Sequence, residues 1–261
     1  MVLKPIASIL VAGGLIACTS TQPTEGPASN EWVSIFDGQS LTGWTPKLNN
    51  QNLGDDPARI FRVEEGELRV TYGDMTEFDN AFGHLFFDEE VSDYRLRFEY
   101  RFFETQKSGG PKWAFMNSGV MYHAQAPGSM RLDQPFPISI EAQLLGTSED
   151  TPARTTANIC TPGTHIVLAG ELTKQHCVNS QTLAAPAGAW VSFELEVHGS
   201  RLTRLIIDGD EAFALTDPQF DTTDPDVARL QLEGPVQTGY FALQAESHPV
   251  AFRNIELMRL N

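Results

Sequence analysis

Along most of the chain after Glu31, apolar and polar positions alternate with a period of two, the mark of half-buried β-strands. The cleanest run is Asp93 to Phe103: Tyr94, Leu96, Phe98, Tyr100 and Phe102 share one face, and Arg95, Arg97, Glu99 and Arg101 share the other. Charges of both signs on one face read as a solvated surface with cross-strand ion pairs. The same period predicts strands over Glu31–Phe36, Phe82–Phe87, Trp190–Val197, Leu202–Ile207, Glu211–Leu215, Gly239–Glu246 and Val250–Leu260. Arg59 to Thr71 predicts a hairpin turning at Glu65-Gly66. Polar, Gly- or Pro-containing stretches over 47–58, 105–113, 124–137, 146–164 and 217–226 read as loops. No segment keeps a helical period for three turns, and no internal repeat occurs. Roughly a dozen short strands separated by turns predict an all-β antiparallel sandwich, built as one domain over 31–261.

Two strands carry unusual outer faces. In Asn117-Ser-Gly-Val-Met-Tyr-His123, Val120 and Tyr122 point one way while Asn117, Gly119, Met121 and His123 point the other. In Ile138-Ser-Ile-Glu-Ala-Gln-Leu144, the apolar residues share one face, and Ser139, Glu141 and Gln143 share the opposite one. Amide, imidazole and carboxylate groups replace the usual Lys and Thr, and a Gly permits close approach to the backbone. Paired side by side, these strands place His123, Glu141 and Gln143 on one surface, the candidate site. Parity adds His84, and in the strand ending near Pro249 it adds Gln244, Glu246 and His248. Such a surface offers donors and acceptors for sugar hydroxyls, with Trp113 or Tyr122 for stacking and Lys112 beside Trp113 at a loop tip. Its carboxylates could also serve as general acid and base.

Charge and cysteines narrow the setting. The net charge of −16 argues against nucleic acid and anionic lipid as partners. Lys4, an apolar run from Ile6 to Ala17 and the box Leu15-Ile-Ala-Cys18 look like a bacterial lipoprotein signal. That reading makes 1–17 a cleaved signal peptide, Cys18 the lipidated residue, 18–30 a polar tether and the cell envelope the location, on the periplasmic or cell-surface side. Cys160 and Cys177, an even pair in an exported chain, are expected to form a disulfide, which would stabilise by about 3 kcal/mol in the chain-entropy model. A Gly-x-Ser-x-Gly elbow, a phosphate-binding Gly loop and a His-Glu-x-x-His zinc motif are all missing, and nothing calls for an organic cofactor. His, Glu and Gln side chains could hold a divalent ion, though no spacing rule demands one.

Five ordered blocks resemble the 3-keto-disaccharide hydrolase family, whose members include 3-keto-glucoside 1,2-lyases and 3-keto-2-hydroxy-glucal hydratases. They are Ile35-Phe-Asp-Gly-Gln-Ser-Leu-Thr-Gly-Trp44, Tyr94–Arg101, Asn117–His123, Ile140–Leu144, and Gly239–Pro249 running on through Phe252–Glu256. The resemblance implies a concanavalin A-like jelly roll of two antiparallel sheets and cleavage of glycosides oxidised at C3. It implies a base for the C2 hydrogen and donors or a divalent metal near the enolate oxygen. Carried over by position, it makes Glu141 and His123 the acid–base or metal-ligating residues, although many relatives carry Arg at the position of His123. Asn117, Gln143, Glu246 and His248 become substrate contacts by the same carry-over, and His84, Lys112 and Trp113 join them from strand parity and the loop tip alone. The contrasting expectation, on the same fold, is a lectin-like lipoprotein module that binds carbohydrate without catalysis.

Overall fold

The computed structural model describes Met1, 30–103 and 105–260. The signal peptide, Cys18 and nearly all of the tether lie outside the described residues. In chain order the strands are β1 (Val33–Ser34), β2 (Trp44–Leu48), β3 (Phe61–Glu64), β4 (Glu67–Val70), β5 (Gly83–Phe87), β6 (Asp93–Phe102), β7 (Asn117–Ala124), β8 (Ile140–Thr147) and β9 (Asn158–Cys160). They continue as β10 (Thr164–Leu168), β11 (Glu171–Thr173), β12 (Cys177–Val178), β13 (Ala185–Pro186), β14 (Val191–His198), β15 (Leu202–Ile207), β16 (Asp210–Phe220), β17 (Tyr240–Ala245) and β18 (Val250–Arg259). One short helix, α1 (Pro225–Leu230), is capped by Asp224, whose carboxylate accepts from the amides of Asp226 and Val227.

Two sheets form. The larger runs β11-β10-β16-β15-β14-β6-β18-β4-β3 with β1 on β18; the smaller runs β12-β9-β8-β7-β17-β5-β2 with β13 on β8. Every pairing is antiparallel except the two-residue contact of β13 with β8. This is the antiparallel sandwich that the alternation predicts, in the concanavalin A-like jelly-roll form that the family resemblance implies. The apolar faces meet in one core that joins Tyr94, Leu96, Phe98 and Phe252 of the larger sheet to Leu85, Val120, Tyr122, Ile140 and Leu243 of the smaller. Phe98 packs against Phe193 at 4.9 Å and Phe252 at 5.5 Å between ring centroids.

The outer face of the larger sheet is the ion-paired surface that the β6 pattern predicts. Arg95 pairs with Glu194, Arg97 with Glu256 and Arg253 with Glu99 across neighbouring strands, while Arg101 reaches past β18 to Glu67 of β4. Trp32 lies under Arg97 and Trp190 under Arg253, both at 4.0 Å from guanidinium to ring centroid.

Several boundaries differ from the alternation reading. Lys47 and Leu48 belong to β2 instead of a loop, paired with His84 and Gly83. Asn158–Cys160, within the expected 146–164 loop, forms β9 on β8. All three of its residues are buried, so no alternation marks it. β16 continues through Pro218 to Phe220 because it pairs with β10 at its far end.

Candidate active site

The polar face of the smaller sheet is assembled by register. Across β7 and β8, Gly119 faces Gln143 and Met121 faces Glu141; across β8 and β9, Glu141 faces Cys160 and Gln143 faces Asn158. On the other side of β7, Ala242 of β17 faces Met121, which puts Gln244 beside Gly119 two residues on. Gln244 in turn faces His84, and His84 faces Lys47. A pocket of about 430 Å³ opens on this face, lined by Trp113, Asn117, Phe136, Glu141, Gln143 and Glu246 and walled by the Cys160–Cys177 disulfide and His176.

Each lining group is held from behind. Glu141 leans over Gly119: a Cβ there would lie 3.0 Å from the Glu141 Cγ, its Oε1 and the Ala142 carbonyl. Any residue with a side chain at 119 would crowd the carboxylate. Glu246 directly follows β17, and the next residue is fastened three ways. The Ser247 amide donates to the Tyr72 hydroxyl at 2.8 Å, its hydroxyl accepts from Gln106 Nε2 at 2.8 Å, and its carbonyl accepts from the Lys107 amide at 2.9 Å. The orientation of Gln143 follows from a chain of obligate partners. The Ser180 amide donates to Asn158 Oδ1 at 3.0 Å, so Asn158 Nδ2 must be the donor to Gln143 Oε1, also at 3.0 Å. That leaves the Gln143 Nε2 hydrogens as the donors available to a ligand.

The electrostatics single out a carboxyl pair. Burial pushes Glu141 up to about 8, partly offset by the neighbouring Gln244 side chain. Burial, and then the charge of Glu141, push Glu246 well above the carboxylate range. Glu141 Oε1, Glu246 Oε2, Asn117 Oδ1 and Gln244 Oε1 are buried with no protein partner. A buried polar atom left unpaired costs about 1–3 kcal/mol, so such a cluster on one face marks a place built for something other than protein. At the mouth, Trp113 is 56% exposed and stacks almost parallel on Phe82, at 4° and 5.8 Å. Its outer face is a flat platform for a sugar ring.

Four predicted site residues fall elsewhere. His123 does not share the surface of Glu141: at φ +50° it forms a bulge against β17, and its Nε2 lies 3.1 Å from the Gly199 carbonyl of the β14–β15 turn. Burial lowers it to about 4, so it is neutral there. His248 follows Ser247, at φ +74°, and turns away to the Phe103 carbonyl at 2.7 Å. His84 lies on the predicted face but one strand behind the pocket, edge-on to Phe136 at 5.8 Å. Both its ring nitrogens lack partners, and burial lowers it to about 3. Lys112 points into a neighbouring hollow. Conversely, Phe136 and His176 join the lining with no parity signal to announce them, and the expected disulfide is a pocket wall as well as a staple.

The family model for the 3-keto-alpha-glucoside-1,2-lyase-like domain matches residues 31–258, nearly all of the sandwich. The chain belongs to this family. No curated protein matches it. Among solved structures, a candidate glycosyl hydrolase from Parabacteroides distasonis ATCC 8503 is 17% identical, covering 88% of this chain and 94% of its own, with a TM-score of 0.52. A Bacillus subtilis protein of unknown function with a galectin-like fold is 10% identical, covering 84% and 90%, with a TM-score of 0.50. These likenesses show a shared jelly-roll fold.

The metal expected from the family can be weighed against the donors present. Among the described residues, no group of three His, Cys, Asp or Glu side chains is placed to hold a metal ion. His123 is too far turned away to join Glu141. The unpartnered oxygens of Glu141, Glu246 and Asn117 form instead an all-oxygen set, which suits a hard divalent cation.

Proposed function

We propose that the chain cleaves 3-keto-glycosides by β-elimination, with the buried Glu141–Glu246 pair as its acid–base machinery. The observation carrying this reading is the pair itself: two carboxyls on one pocket face, with oxygens unpartnered and affinities for protons pushed apart. Glu141 has the Gln244 amide to support its charge, so it ionises first, and its charge keeps the proton on Glu246.

The steps follow from that asymmetry. The 3-keto group acidifies the C2 hydrogen. Glu141 takes this proton, and the C2–H electrons become the C2–C3 double bond of an enolate, whose oxygen accepts from Gln143 Nε2. As the C3 carbonyl re-forms, the electrons move to C1–C2 and the C1–O bond breaks. The leaving oxygen takes the Glu246 proton, giving a free aglycone and a 3-keto-2-hydroxy-glucal. Water can then add across that double bond, its oxygen to C1 and its proton to C2, for net hydrolysis. Trp113 and Phe136 hold the ring and keep bulk water from the carboxyl pair. A divalent cation held by Asn117 and an ionised Glu246 would stand in for the Glu246 proton and supply positive charge to the enolate and the leaving oxygen.

The Leu15-Ile-Ala-Cys18 box supports an exported, lipid-tethered protein acting at the cell envelope. Membrane-fraction protein that becomes soluble on Cys18→Ser supports the anchor; unchanged partition contradicts it. For the chemistry, purified protein is incubated with a 3-keto-glucoside with and without chelator, and released sugar is followed. Turnover is expected. Binding of unoxidised glycans without any turnover of the keto-sugar would leave a carbohydrate-binding module.

A further inference from the structure

A second hollow, of about 390 Å³, adjoins the pocket and is lined by Gln106, Lys112, Phe115, Thr151, Pro152 and Arg154. The two share one short 3-10 turn, Lys112–Ala114: Trp113 lines the pocket, and Lys112 lines the hollow. We propose that this hollow receives the carboxylate of an acidic sugar, a uronic acid on the leaving-group side of the scissile bond. The proposal rests on the carbohydrate reading of the pocket and extends it to the substrate class.

The charges are the first argument. The chain carries −16 overall, and its arginines are otherwise almost all ion-paired, yet neither Lys112 nor Arg154 has a carboxylate in range among the described residues. Two uncompensated cations facing one hollow are unusual on so acidic a protein. The second argument is the geometry of Arg154. Its guanidinium is anchored by the Gly146 carbonyl at Nε (2.7 Å) and by the Phe115 and Met116 carbonyls at Nη2 (2.5 and 2.9 Å). Those three bonds use three of the five N–H donors and fix the plane of the fork, leaving the two Nη1 hydrogens without a protein acceptor. A planar, immobilised donor pair next to a mobile ammonium fits a carboxylate. The third argument is adjacency. A leaving sugar stacked on the exposed Trp113 would sit one residue from Lys112, in the turn that the pocket and the hollow share.

The test is calorimetric titration of the full protein with glucosyl-glucuronic acid and with its neutral glucosyl-glucose counterpart. A charge-assisted contact predicts about tenfold tighter binding of the acid, against the net charge of the protein. The preference is expected to shrink with added salt and to vanish in Lys112→Glu, with neutral-sugar binding unchanged. Lys112 is exposed, so this variant does not disturb folding as Arg154→Ala would. Equal affinities in the wild type, no detectable uronate binding, or a preference that survives Lys112→Glu each overturn the proposal. Equal binding of both sugars, or binding of neither, removes the anion subsite, whereas the carbohydrate reading of the pocket falls only with loss of 3-keto-glucoside turnover.

Discussion

The two sheets each turn a polar face away from the common core, and the two faces obey opposite rules. On the larger sheet, Arg97 and Glu256 pair at 2.7 Å with side chains 42% and 30% exposed, and their neighbours do the same. Solvent and partner together satisfy these charges. On the smaller sheet, Glu141, Gln244 and Glu246 are buried, and each keeps an oxygen without a partner. Alternation along the strands is the same in both. What separates a solvated surface from a reactive one is the combination of burial and missing partners, which holds carboxyls in a protonated state that water would not allow.

This contrast can be broken most severely at the pair. Glu141→Gln keeps the shape and removes the base, so turnover of a 3-keto-glucoside should fall about 10²–10⁴-fold with the fold intact by circular dichroism. Next comes Gly119→Ala, which presses a methyl against the Glu141 side chain and the Ala142 carbonyl. It should lower kcat by about tenfold, the scale of a slightly misplaced catalytic group, with a smaller change in KM. Smallest should be Arg97→Gln on the opposite face: an exposed pair contributes at most about 1 kcal/mol, so activity should be unchanged and the urea midpoint barely moved.

Stability against pH sharpens the same comparison. Glu141 and Glu246 hold protons in the folded state to higher pH than in the unfolded chain. Stability from these groups is therefore complete below about pH 4.5 and is lost as pH rises toward 8. His84, His123 and His248, lowered to about 3, 4 and 4, act the other way, and their contribution is lost as pH falls from 6.5. Urea melts should show stability declining from pH 6.5 to 8, less steeply in Glu141→Gln and just as steeply in Arg97→Gln.

The sandwich, the charged face of β6 and most of the pocket floor were readable because period-two alternation reports which side of a strand faces the core, and the disulfide because an even pair of cysteines remained in a chain read as exported. Asn117, Glu141, Gln143 and Glu246 meet for that reason. Parity failed where the backbone leaves the extended region. His123 itself adopts φ +50°, and His248 follows a residue at +74°, so both imidazoles turn off the surface on which alternation puts them. A strand buried on both faces, such as β9, carries no alternation to read. Phe136 and His176 come from loop segments whose place over the sheet depends on long-range contacts, including the Cys160–Cys177 link, which local pattern does not encode. Lys112 and Trp113 were singled out together, yet one short turn sends them into different cavities.

The central claim is that Glu141 removes the C2 proton. The direct measurement is the mass of the sugar released from a 3-keto-glucoside deuterated at C2, corrected for enzyme-free exchange over the same interval. Elimination followed by hydration predicts a product that has lost its C2 deuterium to solvent, formed about 10²–10⁴-fold more slowly with Glu141→Gln. Release of sugar that retains the C2 deuterium at the wild-type rate would contradict the account.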